Sequence, residues 1–465
     1  PLTDLLPTLA VCALAFDPTN PDVIYAGTGE GYFNADATRG AGIFRSFDGG
    51  NTWRQLEGTR TANFHYVNDI VISPNNYSRI YAATRFGVMP SLDGGVTWTV
   101  AVDESRNGGC SDLAIRTDQR TDVVFAACGI PTNIRMPGNV QGLIYRNDNA
   151  SALGQWEVVH TEEGMSRTSL AIAPSNQNVI YAVSSENGAT GMPHTLHAVF
   201  RSTTGGEAGS WQARVRNTDA NKLNRSILSI PMLVTATDCK ISTADSIQGQ
   251  GFYDLALAVD PTDENRVWVG GIDVARSDDG GANWGIAGFA YEYIGSALSY
   301  GKPNQLHPDQ HFLIFHPQYN GTTNQQMFVG NDGGIWRTDN ARATVATGPL
   351  GACNSANSVV RFVPLNNNYG VTQFYHGAVS PDGKTYLGGT QDNGTPLGTE
   401  TGGPNQWKMV VLADGGYAAV DYNTPTTMYA STQGAGFRRS TDGGATFSSA
   451  TLGLGLASGL FITPM

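Results

Sequence analysis

The chain has 465 residues with a net charge of −12, 57 glycines, 22 prolines and only 15% charged residues. No long helical run of Ala, Glu, Lys, Leu and Arg interrupts it, so the composition predicts many short strands. The acidic balance and the lack of any Lys/Arg run exclude a nucleic-acid binder, whose affinity rests on clustered cations.

No apolar run approaches the roughly 20 residues of a membrane helix, and Pro1-Leu2-Thr3 shows no basic-then-apolar leader. The expectation is a soluble chain without membrane insertion. Sparse lysine and abundant Asn, Thr, Gly and Asp suit an exported, extracellular or cell-surface protein.

Aligning the chain with itself reveals a repeated unit: an apolar strand, a Pro or Asn turn, a second strand with a central aromatic, a third strand, then Ser-x-Asp-Gly-Gly-x-Thr-Trp. Tyr25, Tyr81, Phe125, Tyr181, Trp268, Phe328, Tyr386 and Tyr429 mark the second strands of eight units. Units one and two carry the closing turn in full, at Ser46–Trp53 and Ser91–Trp98. Units five and eight carry it with one exchange each, at Ser277–Trp284 and Ser440–Phe447. Units three, four and six keep eroded forms, and unit seven keeps only Trp407. In such a turn Asp accepts backbone N–H groups and Gly supplies positive φ, so it is read as a hairpin staple and assigned no ligand.

Repeated units of four short antiparallel strands predict an all-β β-propeller in a single domain, 1–465, since repeat folds grow by adding units. Thr/Ser/Asn/Ala-rich insertions at about 217–250 and 341–358 are expected as excursions on a face. The tail Gly459–Met465 resembles the first strand of a further unit.

Five cysteines leave at least one unpaired within the chain. A hairpin that sets Ile115 opposite Val123 also sets Cys110 opposite Cys128, which predicts a cross-strand disulfide. Cys12 reads as a small core residue, and Cys239 and Cys353 fall in the insertions.

The starts of first strands and the ends of second strands share one rim of a blade, opposite the closing turns. That rim collects the unusual residues of units six to eight: His307, Asp309, His311, Asn331, Asp332, Gln373, Tyr375, Gln391, Asp392, Asn393 and Asp414. Were His307, Asp309 and His311 to stand at alternate positions of one strand, they would share a face and could hold a divalent metal ion, with Asp332 as a further ligand. Equally, Asp309 could orient a histidine at a strand end. Asp309, Asp332, Asp392 and Asp414 are the candidate catalytic acids, because glycoside hydrolysis needs two carboxyls roughly 5–9 Å apart. Asp-Gly-Gly and Asp-Asn-Gly are also ordinary turns. Tyr291, Tyr293, Tyr300 and Phe374 add aromatic surface nearby.

The closing turn resembles the Asp-box (BNR repeat) of sialidase-like and sortilin-like propellers. The runs His307–His311, Gly330–Gly334, Gln373–Tyr375 and Gly388–Gly394 resemble bacterial exported proteins with sortilin-type propellers. This implies a large propeller of up to ten blades that binds protein or peptide ligands. Xyloglucanases share the boxes but use two facing propellers. Sialidases share the boxes alone, and Arg135-Met136-Pro137 is the nearest counterpart of their Arg-Ile-Pro motif. The function expected is therefore an exported binding module for a protein, peptide or glycan at the rim of units six to eight, with a role in an extracellular or filamentous assembly. The alternative is a glycoside hydrolase of xyloglucanase-like type using paired aspartates.

Overall fold

The computed structural model describes all residues except 1–5, 9, 34–36, 132–139, 153, 189–193, 220–226, 230–248, 291, 295–296, 300–303, 348–358, 367–371, 455–458 and 465. Most of both insertions, Cys239, Cys353 and Arg135-Met136-Pro137 therefore lie outside the described residues.

Eight four-stranded antiparallel sheets follow one another along the chain, each in simple strand order. Blade one comprises β1 (Val11–Asp17), β2 (Asn20–Thr28), β3 (Ile43–Ser46) and β4 (Arg54–Gln55). Blade two comprises β5 (Val67–Ile72), β6 (Ile80–Thr84), β7 (Gly87–Ser91) and β8 (Val102–Asp103). Blade three has β9 (Cys110–Ile115), β10 (Val124–Cys128), β11 (Leu143–Asn147) and β12 (Glu157–His160). Blade four has β13 (Met165–Ile172), β14 (Ile180–Glu186), β15 (Leu196–Ser202) and β16 (Gln212–Arg216).

Blade five has β17 (Ala256–Val259), β18 (Val267–Gly270), β19 (Val274–Ser277) and β20 (Gly285–Gly288), followed by an unforeseen hairpin, β21 (Glu292–Ile294) and β22 (Ala297–Ser299). Blade six has β23 (Gln310–Phe315), β24 (Met327–Asn331), β25 (Gly334–Thr338) and β26 (Val363–Pro364). Blade seven has β27 (Phe374–Val379), β28 (Thr385–Thr390), β29 (Thr395–Thr399) and β30 (Lys408–Val411). Blade eight has β31 (Gly415–Val420), β32 (Met428–Thr432), β33 (Gly436–Ser440) and β34 (Ser448–Ser449). All eight aromatic markers fall on second strands. The tail Gly459–Pro464 forms no strand.

By packing, the chain groups into two compact units. The first is Pro1–Val329 with Arg337–Val363, and the second is Gly330–Trp336 with Pro364–Met465. In the first unit the first strands of successive blades lie side by side, β1 on β5, β5 on β9, β9 on β13, β13 on β17 and β17 on β23. In the second, β27 lies on β31. Middle strands are sandwiched between neighbouring sheets, which is why β6, β10 and β14 are buried at every position and read as apolar runs without alternation.

Between blades one and two the core is Tyr25, Ile43, Ile70, Ile72 and Ile80, and between four and five Tyr181, Val199, Val267 and Trp284. Each fully buried aliphatic side chain of this kind stabilises the fold by about 1.5–3 kcal/mol. The core of the second unit is thinner, built on Leu387, Ala418, Val420 and Met428.

The Ser-x-Asp-Gly-Gly turns staple the third strand to the fourth. In blade one Ser46 Oγ donates to Asp48 Oδ1 (2.8 Å) and accepts the Gly50 N–H (2.8 Å), while Asp48 Oδ1 accepts the Thr52 N–H (2.8 Å). Gly49 and Gly50 sit at φ +65° and +88°, where a side chain is strained. The first glycine of each turn donates its N–H to the turn between the first and second strands or the start of the second, Gly49 to Asp22 O, Gly94 to Ser78 O, Gly280 to Asn265 O and Gly443 to Thr426 O. The two turns therefore share a rim, as the strand order requires. Blade four lacks the aspartate yet keeps the frame, with Gly206 N–H on Ser202 Oγ at 3.0 Å.

Cys110 and Cys128 form the expected disulfide. The register that predicted it is corrected by one residue, since Ile115 pairs with Val124 and not Val123. A bulge at Ser111 then absorbs one residue, so Cys128 still faces Cys110. Cys12 is half-buried and free, and burial pushes its thiol up to about 12, so it is not a thiolate at neutral pH.

Candidate functional site

The predicted residues divide between the two units. His307, Asp309 and His311 belong to the first, and Asn331, Asp332, Gln373, Tyr375, Gln391, Asp392, Asn393 and Asp414 to the second.

In the first unit the one-strand premise for a metal site fails. β23 begins at Gln310, so His307 and Asp309 precede the strand, and Asp309 turns the chain at φ +64°. Without the strand's alternation the three side chains have no common face imposed on them. Asp309 Oδ1 accepts from Gln250 Nε2 at 2.9 Å, His307 Nδ1 lies 3.0 Å from Pro308 O, and the His311 ring stands edge-on to Tyr253 at 4.7 Å. Among the described residues no three of His, Cys, Asp and Glu converge as metal ligands. The anchor of this motif is Gln310, which is fully buried. It donates its N–H to Gly271 O (2.8 Å) and its side-chain amide to Ile272 O (3.0 Å) and His307 O (2.7 Å).

In the second unit the predicted residues do come together. Gln391 N–H reaches Gln373 O at 3.0 Å, which ties the end of β28 to the residue just before β27. Asp392, at φ +55°, donates its N–H to Asp414 Oδ1 at 2.8 Å, and Gly394 bridges Asp414 in parallel. The Asn393 carboxamide donates to Asp332 O at 3.2 Å and to Gln391 O at 3.1 Å. Asn331 Oδ1 caps the Gly333 N–H at 3.1 Å. Tyr375 meets Phe461 edge-on at 6.4 Å. These turns approach closely because glycine permits it: a Cβ on Gly389 would sit 1.8 Å from Gly416 O.

Several participants were missed. Asn366 pins the Asn331-Asp332-Gly333-Gly334 turn by donating to Gly333 O (2.7 Å) and accepting the Ile335 N–H (2.9 Å). Nothing in its surrounding sequence marks that contact. His376 stacks on Tyr417 at 4.3 Å with 24° between planes. Of the aromatic residues expected nearby, Phe374 is exposed, while Tyr291, Tyr300 and the side chain of Tyr293 lie outside the described residues.

A second polar constellation lies on the first strands of the first unit. Asp69 Oδ2 accepts the Leu113 N–H (2.9 Å), and Asp112 Oδ2 accepts Ser169 Oγ (2.5 Å) and the Leu170 N–H (2.8 Å), so each acid clasps the next blade. Burial, and then the charge of Asp112, pushes the Asp69 carboxyl well above the usual carboxylate range, and burial raises Asp112 too. Nearby the Arg167 guanidinium lies 3.7 Å over the Tyr32 ring, and Arg85 is held between Phe33 (3.8 Å) and Tyr66 (3.7 Å). The signal available was the acid shared by Val67-Asn68-Asp69-Ile70 and Cys110-Ser111-Asp112-Leu113.

No protein-family model and no curated protein matches the chain. Among solved structures it is similar to a GH74 enzyme of Niastella koreensis, at 16% identity and a TM-score of 0.50, over 97% of this chain and 66% of that one. The chain is all-β and has a β-propeller fold built from eight four-stranded blades. It spans just under two thirds of that enzyme, 66%. A GH74 xyloglucanase from Xanthomonas campestris matches over 95% of this chain and 72% of its own at 15% identity and a TM-score of 0.41. YCF48 from Cyanidioschyzon merolae matches over 78% and 92% at 12% identity and 0.37. Identities this low speak to fold alone.

Proposed function

We propose that this chain is an exported propeller that acts as a binding module, and that the turn cluster around Asp332, Asp392, Asn393 and Asp414 is its ligand-facing surface. One observation carries the reading: Asp414 accepts the Asp392 N–H at 2.8 Å, and Asn393 clamps the Asp332 carbonyl. A glycosidase needs one carboxyl poised to protonate the leaving oxygen and a second facing it. Here an acid is engaged in shaping a turn, which supports recognition over bond cleavage. Amides and Tyr375 offer paired donors, acceptors and a ring edge, chemistry suited to a glycan or a peptide. The resemblance to sortilin-type propellers points the same way, and the Cys110–Cys128 disulfide suits an oxidising compartment. Among the described residues no helix is long and apolar enough to cross a membrane.

A panel of immobilised glycans and peptides tests this: Asn393→Ala should lose most retention while the fold, read by circular dichroism, is kept. Retention unchanged by Asn393→Ala would count against this surface.

A second reading, glycoside hydrolysis, rests on the two acids that the cluster brings together, Asp414 accepting the Asp392 N–H at 2.8 Å. Release of reducing ends from xyloglucan, abolished by Asp392→Asn or Asp414→Asn, would establish it.

A further inference from the structure

A cleft of about 520 Å³ opens on the first unit between blades two and three. Five consecutive residues, Thr99 to Asp103, form one wall, and Tyr145, Gln155 and Trp156 stand on the other. The first wall is the outer margin of blade two, running into β8. Among the described residues its backbone hydrogen bonds run inward to β7. Thr99 donates its N–H to Pro90 O at 3.1 Å and Ala101 donates to Val88 O at 3.0 Å, both inward to β7. Because the Thr99 and Ala101 N–H groups on either side both point inward, the Val100 N–H and C=O between them fall on the opposite, cleft side, just before the chain bends at Ala101. Val100 is 48% exposed and lines the cleft.

We propose that this cleft is a docking groove for a short extended peptide, which pairs through its main chain with Val100 at the outer margin of blade two. Main-chain hydrogen bonds to Val100 supply the common part of the affinity, and the opposite wall selects side chains. Trp156 offers an apolar face to an aliphatic or aromatic residue. Asp103, whose Oδ1 is occupied by the Ser105 N–H (3.1 Å) and hydroxyl (2.7 Å), keeps its charge toward a lysine or arginine at the end of the groove. Glu104, which accepts the Tyr145 hydroxyl, adds to the same acidic end. Only Val102 and Asp103 of this wall are strand and the chain bends at Ala101, so main-chain pairing is confined to Val100 and the segment recognised is short. A saccharide could stack on Trp156, but it lacks the alternating amide pattern that an exposed strand margin matches.

The probe is a fluorescein-labelled hexapeptide of alternating valine and lysine, followed by anisotropy on the whole protein. Its control is the same peptide N-methylated at alternate amides. Saturable binding is expected, weakened about tenfold or more by N-methylation, because the methyl groups remove the strand-pairing donors. Val100→Pro should weaken it similarly by deleting the outward N–H, whereas Val100→Ala should leave it within about twofold. Circular dichroism checks that Val100→Pro remains folded, and the N-methylated peptide tests the idea without any variant. Equal binding of the two peptides, or no saturable binding of the first, overturns the proposal. So does competition by cellotetraose that persists in folded Val100→Pro, which would make the cleft a saccharide site.

Discussion

Aspartates in two regions of this molecule are driven in opposite directions. On the turn rim, hydrogen bonds from Thr52, Thr97 and Thr446 hold the exposed carboxylates of Asp48, Asp93 and Asp442 below the usual range, Asp442 at about 2. On the first strands, Asp69 and Asp112 accept comparable bonds, yet burial outweighs them and raises both. Asp122 lies between these cases. Burial pushes it up, but Asn75, Ser73, Tyr81 and Arg79 all converge on it and the net direction is down. The number of donors around a carboxylate, set against its desolvation, decides the sign. A propeller needs both kinds: low acids that close hairpins at its rim, and raised acids that join blades where a full charge would be costly.

The largest effect should come from the disulfide that joins β9 to β10. Replacing Cys110 and Cys128 together by Ala opens a link with a sequence separation of 18. It should cost about 3 kcal/mol in urea unfolding, and more if the Ser111 bulge relaxes and shifts Asp112. Tyr81→Phe removes the 2.8 Å donor from Asp122, and should cost about 2 kcal/mol and raise the Asp122 titration seen by carbonyl NMR.

Asp69→Asn should change stability in the other direction. A carboxyl whose folded pKa is raised contributes stability that is full below about pH 4 and is lost as pH rises through the folded value. Removing that charge should stabilise the protein at neutral pH by about 1–2 kcal/mol. The gain should vanish near pH 3, as a paired thermal scan at the two pH values would show. The smallest effect is on the turn rim. Asp279→Ala loses the bonds from the Ala282 N–H (3.0 Å) and Asn283 N–H (2.9 Å) and should cost about 1 kcal/mol at neutral pH. A depressed acid contributes above about pH 4 and loses its contribution as pH falls through the folded value. That cost should therefore fade in acid, opposite to Asp69→Asn.

The repeat made the architecture legible. Each unit carries an apolar strand, an aromatic second strand and, in most, a stapled turn, so sheets and strand order could be read without a partner sequence. Local deviations were not legible. The Ser111 bulge shifted β9 by one residue, which a regular antiparallel register carried from Ile115 to Cys110 cannot detect. The His307–His311 run was read as strand because alternate polar residues look like one, whereas Asp309 takes a left-handed turn and the buried residue is Gln310. The second-unit cluster was legible because strand ends must meet, but Asn366 was not, since its contact spans 33 residues of chain. Asp69 and Asp112 escaped because a desolvated carboxylate and a surface one look alike in sequence until the neighbouring blade is placed.

The binding account meets its most direct test in one NMR experiment, in which xyloglucan oligosaccharides and a peptide panel are incubated with the protein. Saturation transfer and the anomeric region are recorded together over a day. The account predicts transfer to at least one ligand, lost in Asn393→Ala, with no new reducing-end anomeric signals. Growth of those signals, suppressed by Asp414→Asn, would contradict it and make the second unit the seat of a hydrolase.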